Sequence, residues 1–238
     1  FGEGSPFYQR LGMKCFRSYL TNWDINSNKN VDVLVGNSAF VSTRITKYYN
    51  KESVVIHPFV DLEDFKRCQE INLTREDYYL MVTAFAPNKK VDLAIEAFNK
   101  MGKKLKIIGS GQDEKRLRHM AGENIEFLGN VDREGVIDAF SKSRAFIFPG
   151  TEDFGITPLE SLATGTPVIA YKIGGVLETL NDKVAHFFEH QSVDGLITAV
   201  HDFEKKTFIQ DDLFARANEF SKEAFKRNIY KKIEEVLK

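Results

Sequence analysis

Two glutamates eight positions apart, Glu152 and Glu160, bracket the segment EDFGITPLE and are the pair best suited to chemistry. A carboxylate accepts hydrogen bonds from hydroxyl groups well but repels phosphate. The residues between them supply what the carboxylates lack. Thr157-Pro158-Leu159-Glu160 has the spacing of a capping box with proline at the first helical position, which predicts a helix starting near Thr157. The backbone N–H groups of Gly155, Ile156 and Thr157 then point out of the helix end, free for an anion. A ligand with both phosphates and sugar hydroxyls, such as a nucleotide sugar, satisfies the whole loop. The plainer reading is that Glu160 only closes the capping box and Glu152 is solvated.

Three further loops hold candidates. In AFAPNKKVDLAIEAF, Lys89 and Lys90 stand just before a helix N-terminus, where cations oppose the helix dipole. They read either as solvated lysines or as partners for a phosphate that the same helix end attracts. Gly109 and Gly111 form a G-x-G turn after a strand, but Glu114 occupies the third position of a dinucleotide fingerprint, which demotes a nicotinamide site. Tight turning and close ligand approach both explain these glycines. Gly174 and Gly175 again place glycine at a helix start. His186-Phe187-Phe188-Glu189-His190 matches a metalloprotease spacing, H-x-x-E-H, yet falls on an expected strand, where both histidines cannot share a helical face.

The elements that must position these residues are legible from periodicity. Short apolar runs at 78–83, 105–109, 125–129, 145–149 and 167–171, with another at 184–188, alternate with helical patterns. This is the signature of βαβ units around a parallel sheet, whose loops after the strands carry ligands. Helical pieces follow at about 192–206, 210–221 and 222–238. Earlier in the chain come a helix-like stretch to Trp23, a polar break at Asn26–Asn30, a strand at 31–36, a helix over 38–49 and a strand plus turn at 54–61. The polar region 63–77 reads as a linker, with a domain boundary between Val60 and Asp77.

Composition excludes several classes. The 238 residues are 42% hydrophobic and 28% charged, and 33 Lys+Arg against 34 Asp+Glu leave a formal charge of −1. That gives no overall electrostatic case for nucleic acid, and no apolar run reaches the ~18–20 residues of a membrane span. Cys15 and Cys68 lie far apart with no grouped histidines, which signals neither a disulfide framework nor zinc and fits a reducing cytoplasm. Phe1–Pro6 lacks the features of a signal peptide, and the chain reads as cut into rather than begun.

The loops resemble the C-terminal half of a retaining glycosyltransferase of the GT-B fold, in the large group 1 family that includes many bacterial mannosyltransferases. The resemblance runs through VDVLVGNSAFVSTRITKYY (31–49), VVIHPFVD (54–61), APNKKVDLAIEAF (86–98), KIIGSGQDEKRL (106–117), NIEFLGNV (124–131) and, most specifically, EDFGITPLESLATGTPVIAYKIGG (152–175). It implies an α/β fold: a Rossmann-like parallel sheet with helices on both faces and a helical C-terminal tail. It further implies that residues 1–62 are a remnant of an acceptor domain, 78–218 a donor-binding domain and 219–238 a crossover helix.

By the same resemblance Glu152 lies against the donor sugar near the reacting carbon, and Glu160 holds the nucleotide ribose. Lys89 pairs with the diphosphate, Gly155 and Ile156 offer N–H groups, and Gly129 and Asn130 pass the nucleobase. Phe154, Thr157, Lys90, Gly109 and Gly111 complete the expected donor site. Many members carry an arginine five residues before the lysine; here that position is Ala84, which leaves part of the phosphate charge either to Lys90 or to no residue. The implied donor is a nucleotide sugar, GDP-mannose first and UDP-hexoses second, with no metal or other cofactor. The implied acceptor is a glycan or a lipid-linked sugar, handled in the cytoplasm or peripherally at the inner face of the cell membrane. A binding module without catalysis and a nucleotide-sugar epimerase on the same fold are the rival readings.

Overall fold

The computed structural model describes residues 7–70 and 74–237. Phe1–Pro6 and residues 71–73 of the expected linker lie outside them. The chain forms two compact units, Phe1–Val55 and Ile56–Lys238. The first contains α1 (Phe7–Ser27), β1 (Leu34–Gly36), α2 (Ala39–Tyr49) and β2 (Ser53–Val55), with β1 and β2 paired in parallel. Ser38 caps α2 by accepting from the N–H of Val41 at 3.0 Å.

The second unit opens with a 3-10 turn, Leu62–Phe65, and the short helix α3 (Lys66–Glu70). These occupy the expected linker, and here the structure corrects the sequence reading. Val60, Phe65 and Cys68 are buried in the same apolar cluster as Leu80 and Phe146, so this stretch is core, and the division between units falls earlier, at Val55/Ile56. The exposed Glu63, Asp64, Lys66, Arg67 and Gln69 are the outer face of this turn and helix.

Six strands follow: β3 (Tyr79–Val82), β4 (Leu105–Ile108), β5 (Ile125–Gly129), β6 (Phe146–Phe148), β7 (Val168–Tyr171) and β8 (Ala185–Phe188). They form one parallel sheet in the order β5-β4-β3-β6-β7-β8. Between and after them run α4 (Val91–Met101), α5 (Glu114–Met120), α6 (Arg133–Lys142), α7 (Ile156–Ala163), α8 (Val176–Thr179), α9 (Val193–Phe203), α10 (Gln210–Asn218) and α11 (Lys222–Val236). Successive side chains of a strand point to opposite faces, so each strand feeds two cores. Leu80, Phe146, Phe148, Val168 and Ala170 pack with Phe140 of α6, Leu159 and Leu162 of α7 and Leu213 of α10. Tyr79, Met81, Ile107, Ile147 and Ile169 pack on the other face with Ile95 and Phe98 of α4 and Val200 of α9.

Strand order decides where a ligand goes. From β3 the chain winds outward to β4 and β5, then returns to the other side of β3 to place β6. The β3–β6 junction is therefore the switch point, and the crevice beyond the carboxyl ends of these strands is where such sheets bind ligands. Among the described residues no helix is long and apolar enough to cross a membrane.

Candidate functional site

Lys89 follows β3 and Glu152 follows β6, so the two arrive at the switch point from opposite sides. After β3 the backbone forms a 3-10 turn, Pro87–Lys89, and Lys90 takes the left-handed conformation (φ 56°) as it enters α4. Gly150 lies under this turn. A Cβ there would stand 2.8 Å from the Asn88 carbonyl oxygen and 3.0 Å from the Lys89 Cα, so only glycine lets the two loops close. Lys89 Nζ then donates to Glu152 Oε1. The two side chains are 22% and 26% exposed. Burial pushes the Lys89 ammonium below an ordinary lysine, with Asp153 opposing that shift.

The backbone bearing Glu152 is fixed from the far side by the glycine pair of the next loop. The N–H of Gly175 donates to the Glu152 carbonyl at 3.0 Å, and a Cβ on Gly174 would stand 2.6 Å from that same oxygen. A Cβ on Gly175 would overlap the Asp153 carbonyl. These glycines serve as a clamp on the 152–154 segment.

The entry to α7 differs from expectation. The helix begins at Ile156, one residue before Thr157, its N-cap is Gly155 in the left-handed region (φ 91°), and no side chain caps it. Pro158 is tolerated in the first turn because the N–H it lacks has no intrahelical partner there. The capping box does not form. Glu160 instead accepts from Arg133 Nη1 at 2.6 Å, and Arg133 Nε donates to Asp64 at 3.0 Å. The helix end is thus left open and positive, as anion binding requires.

Other expected residues divide. Phe154 is buried, with its ring stacked on His57 at a centroid distance of 5.5 Å and edge-on to Phe220, so its side chain is committed to packing. His57 Nε2 lies 2.9 Å from Glu178 Oε2. Gly109 and Gly111 face chain as well. A Cβ on Gly109 would overlap the Thr83 carbonyl, and one on Gly111 would stand 2.6 Å from the Phe85 carbonyl, where Phe85 N–H donates to Ser110 at 2.8 Å. Tight packing against the β3 loop accounts for both glycines. Gly129 adopts φ 68° and accepts from Gly109 N–H at 2.9 Å, beside the exposed Asn130. His186 lies on the edge strand β8 and His190 beyond it. No group of three or more His, Cys, Asp or Glu among the described residues is placed to hold a metal.

Arg133 and Gly150 are the residues that sequence reasoning missed. Gly150 carries no local signal, since its constraint comes from the Pro87–Lys89 turn across the switch point. Arg133 carries one: it is a cation in the first turn of a helix, the same anomaly that drew notice to Lys89 and Lys90.

Comparison with known proteins bears on this geometry. A sequence model of the family described as "Glycosyl transferases group 1" matches residues 63–227. An uncharacterized glycosyltransferase of Methanocaldococcus jannaschii is 29% identical over 160 residues, covering 64% of this chain and 44% of that protein. The alpha-1,3/1,6-mannosyltransferase ALG2 of Saccharomyces cerevisiae is 26% identical over 225 residues, covering 71% and 44%. The chain thus spans less than half the length of either relative. The solved structure of HepE from Anabaena in complex with UDP and glucose superposes with a TM-score of 0.73 at 18% identity, covering 90% of this chain and 66% of that one.

Proposed function

Because the chain belongs to the group 1 glycosyl transferase family, we propose that it is the donor-binding portion of an enzyme that transfers a hexose from a nucleotide sugar with retention of configuration. The observation that carries the reading is the Lys89–Glu152 pair at the sheet's switch point, beside a helix end that no side chain caps. A diphosphate entering there takes the Lys89 ammonium and the N–H groups of Ile156 and Thr157. Glu152, released from Lys89, accepts from hydroxyls of the sugar, and Glu160 accepts from the ribose. As the sugar leaves the diphosphate, negative charge grows where the lysine and the helix end are already aimed, which is how preorganised donors lower a barrier. Retention is supported by the family resemblance. GDP-mannose is the first donor, supported by the likeness to a mannosyltransferase; UDP-hexoses are second, supported by the fold shared with a protein solved with UDP. The acceptor is a glycan or lipid-linked sugar, and the setting is the cytoplasm or the inner face of the cell membrane.

Calorimetric titration with GDP-mannose, UDP-glucose and NADH, against Lys89→Ala, tests the site. Binding of one sugar nucleotide, weakened about tenfold or more by the substitution, is expected; binding of NADH, or sugar-nucleotide binding indifferent to Lys89→Ala, contradicts it.

A further inference from the structure

The sequence offers Glu160 a partner close at hand, the backbone N–H at the start of its own helix, yet the carboxylate points elsewhere. It is held by Arg133, and Arg133 is itself held on three sides. Nη1 donates to Glu160 Oε1 at 2.6 Å, Nε donates to Asp64 Oδ2 at 3.0 Å, and the guanidinium lies 4.8 Å from the ring centroid of Phe65, which is fully buried. Asp64 and Phe65 belong to the 3-10 turn that Asp61 caps, while Arg133 opens α6 behind the N-cap Asp132. A cation at that position opposes the α6 dipole, so these partners must offset an unfavourable placement.

Exposed ion pairs contribute little, but this one is asymmetric: Arg133 is 41% exposed and Glu160 only 17%. A carboxylate so far withdrawn from water needs a fixed partner. Arginine's planar fork fixes the direction of each bond it gives to the two carboxylates, which the freely rotating ammonium of lysine does not. Arg133 occupies Oε1 and leaves Oε2 with no hydrogen bond among the described residues. It also keeps Glu160 from turning back onto α7, whose first N–H groups stay open.

We propose that Arg133 is a positioning residue that fixes the Glu160 carboxylate to receive the ribose hydroxyls of the donor, with Asp64 and Phe65 as its support. This rests on the donor-site reading above. Its distinctive consequence is a selective one. Loss of Arg133 weakens ligands that carry ribose hydroxyls and spares those that lack them, whereas general structural damage weakens both alike.

The experiment is calorimetry on this chain with GDP and UDP and with their 2′,3′-dideoxy counterparts, for the native protein, Arg133→Gln, Arg133→Lys, Asp64→Asn and Glu160→Gln. The native protein should prefer the ribose form about tenfold or more, as expected for hydrogen bonds to a charged acceptor. Arg133→Gln should collapse that preference toward unity while leaving dideoxy binding unchanged, and Arg133→Lys and Asp64→Asn should reduce it partly. If Glu160→Gln abolishes the preference and Arg133→Gln keeps it, the role of Arg133 is overturned and the donor site stands. If Glu160→Gln keeps it, the ribose role of Glu160 falls, and the inference with it. Asp64→Asn, which leaves both Arg133 and Glu160 in place, guards against a variant that misfolds.

Discussion

The two ends of the six-stranded sheet treat polar groups in opposite ways. At the amino end, Arg75 donates from Nη1 to the carbonyls of Ser141 and Ser143 and to Thr166 Oγ1, and from Nη2 to the Gly165 carbonyl. Thr166 Oγ1 passes a hydrogen bond to the Phe140 carbonyl at 2.7 Å, and Ser161 Oγ reaches the Thr166 carbonyl at 2.9 Å. Burial pulls Arg75 below the usual arginine range, but no buried polar side-chain atom among the described residues lacks a partner. At the carboxyl end the partners among the described residues are incomplete: the Gly155 N-cap gives α7 no side-chain cap, and Glu160 Oε2 has no hydrogen bond. A saturated network holds structure together, and one with spare capacity waits for a ligand. An arginine alone does not tell the ends apart: Arg75 sits in the saturated network and Arg133 in the incomplete one.

That contrast predicts that substitutions at the carboxyl end affect activity and those at the amino end affect stability. On the function proposed above, the largest effect is expected for Glu152→Ala. Transfer should fall by about 10³-fold, as when a preorganised electrostatic contact is removed, with the thermal midpoint nearly unchanged. Wild-type turnover in that variant would remove Glu152 from the chemistry. Arg75→Met should do the reverse, costing about 3 kcal/mol because several buried acceptors lose their donor at once. Denaturant melting measures it, and nucleotide affinity should be unchanged wherever the variant is folded. A loss of affinity in folded Arg75→Met would show that the two ends are coupled.

Gly175→Ala joins the two categories and is expected to be intermediate. The added Cβ overlaps the Asp153 carbonyl, so the 152–154 segment must shift. A stability loss of about 1–3 kcal/mol, as for other overpacked sites, should come with weaker donor binding, since Glu152 sits on the displaced backbone. Gly129→Ala is the comparison: no atom lies within 4 Å of its added Cβ, and only the φ of 68° opposes it.

The legible part of this protein was whatever depends on local period. All six strands of the large sheet and the helices after them fall where alternation and helical spacing place them, because those patterns are set by residues within one element. What failed depends on a partner far away in sequence. The capping box Thr157–Glu160 was sound as a local pattern, and it lost to Arg133, 27 residues earlier. The linker reading at 63–77 lost to Phe65 and Cys68, whose burial is decided by strands that follow them. The G-x-G spacing of Gly109 and Gly111 is visible locally, but the Thr83 and Phe85 backbone that fills the space of their missing Cβ atoms belongs to the neighbouring loop.

The smallest expected effect sharpens the contrast through pH. Lys89 is held below the ordinary lysine value of 10.5 by burial. Between its lowered value and 10.5 the unfolded chain binds the proton more tightly than the native one, so the ligand-free protein gains stability as pH rises across that interval. A diphosphate needs the protonated lysine, so donor affinity should fall a few-fold over the same interval. Stability and binding therefore move in opposite directions with pH at one residue. In Lys89→Arg both trends should flatten, because the guanidinium stays charged throughout. Parallel thermal melts and titrations across the alkaline range measure the two slopes. If the affinity decline persists unchanged in Lys89→Arg, the proton lost on binding's alkaline side belongs to another group, and Lys89 is not the diphosphate's partner.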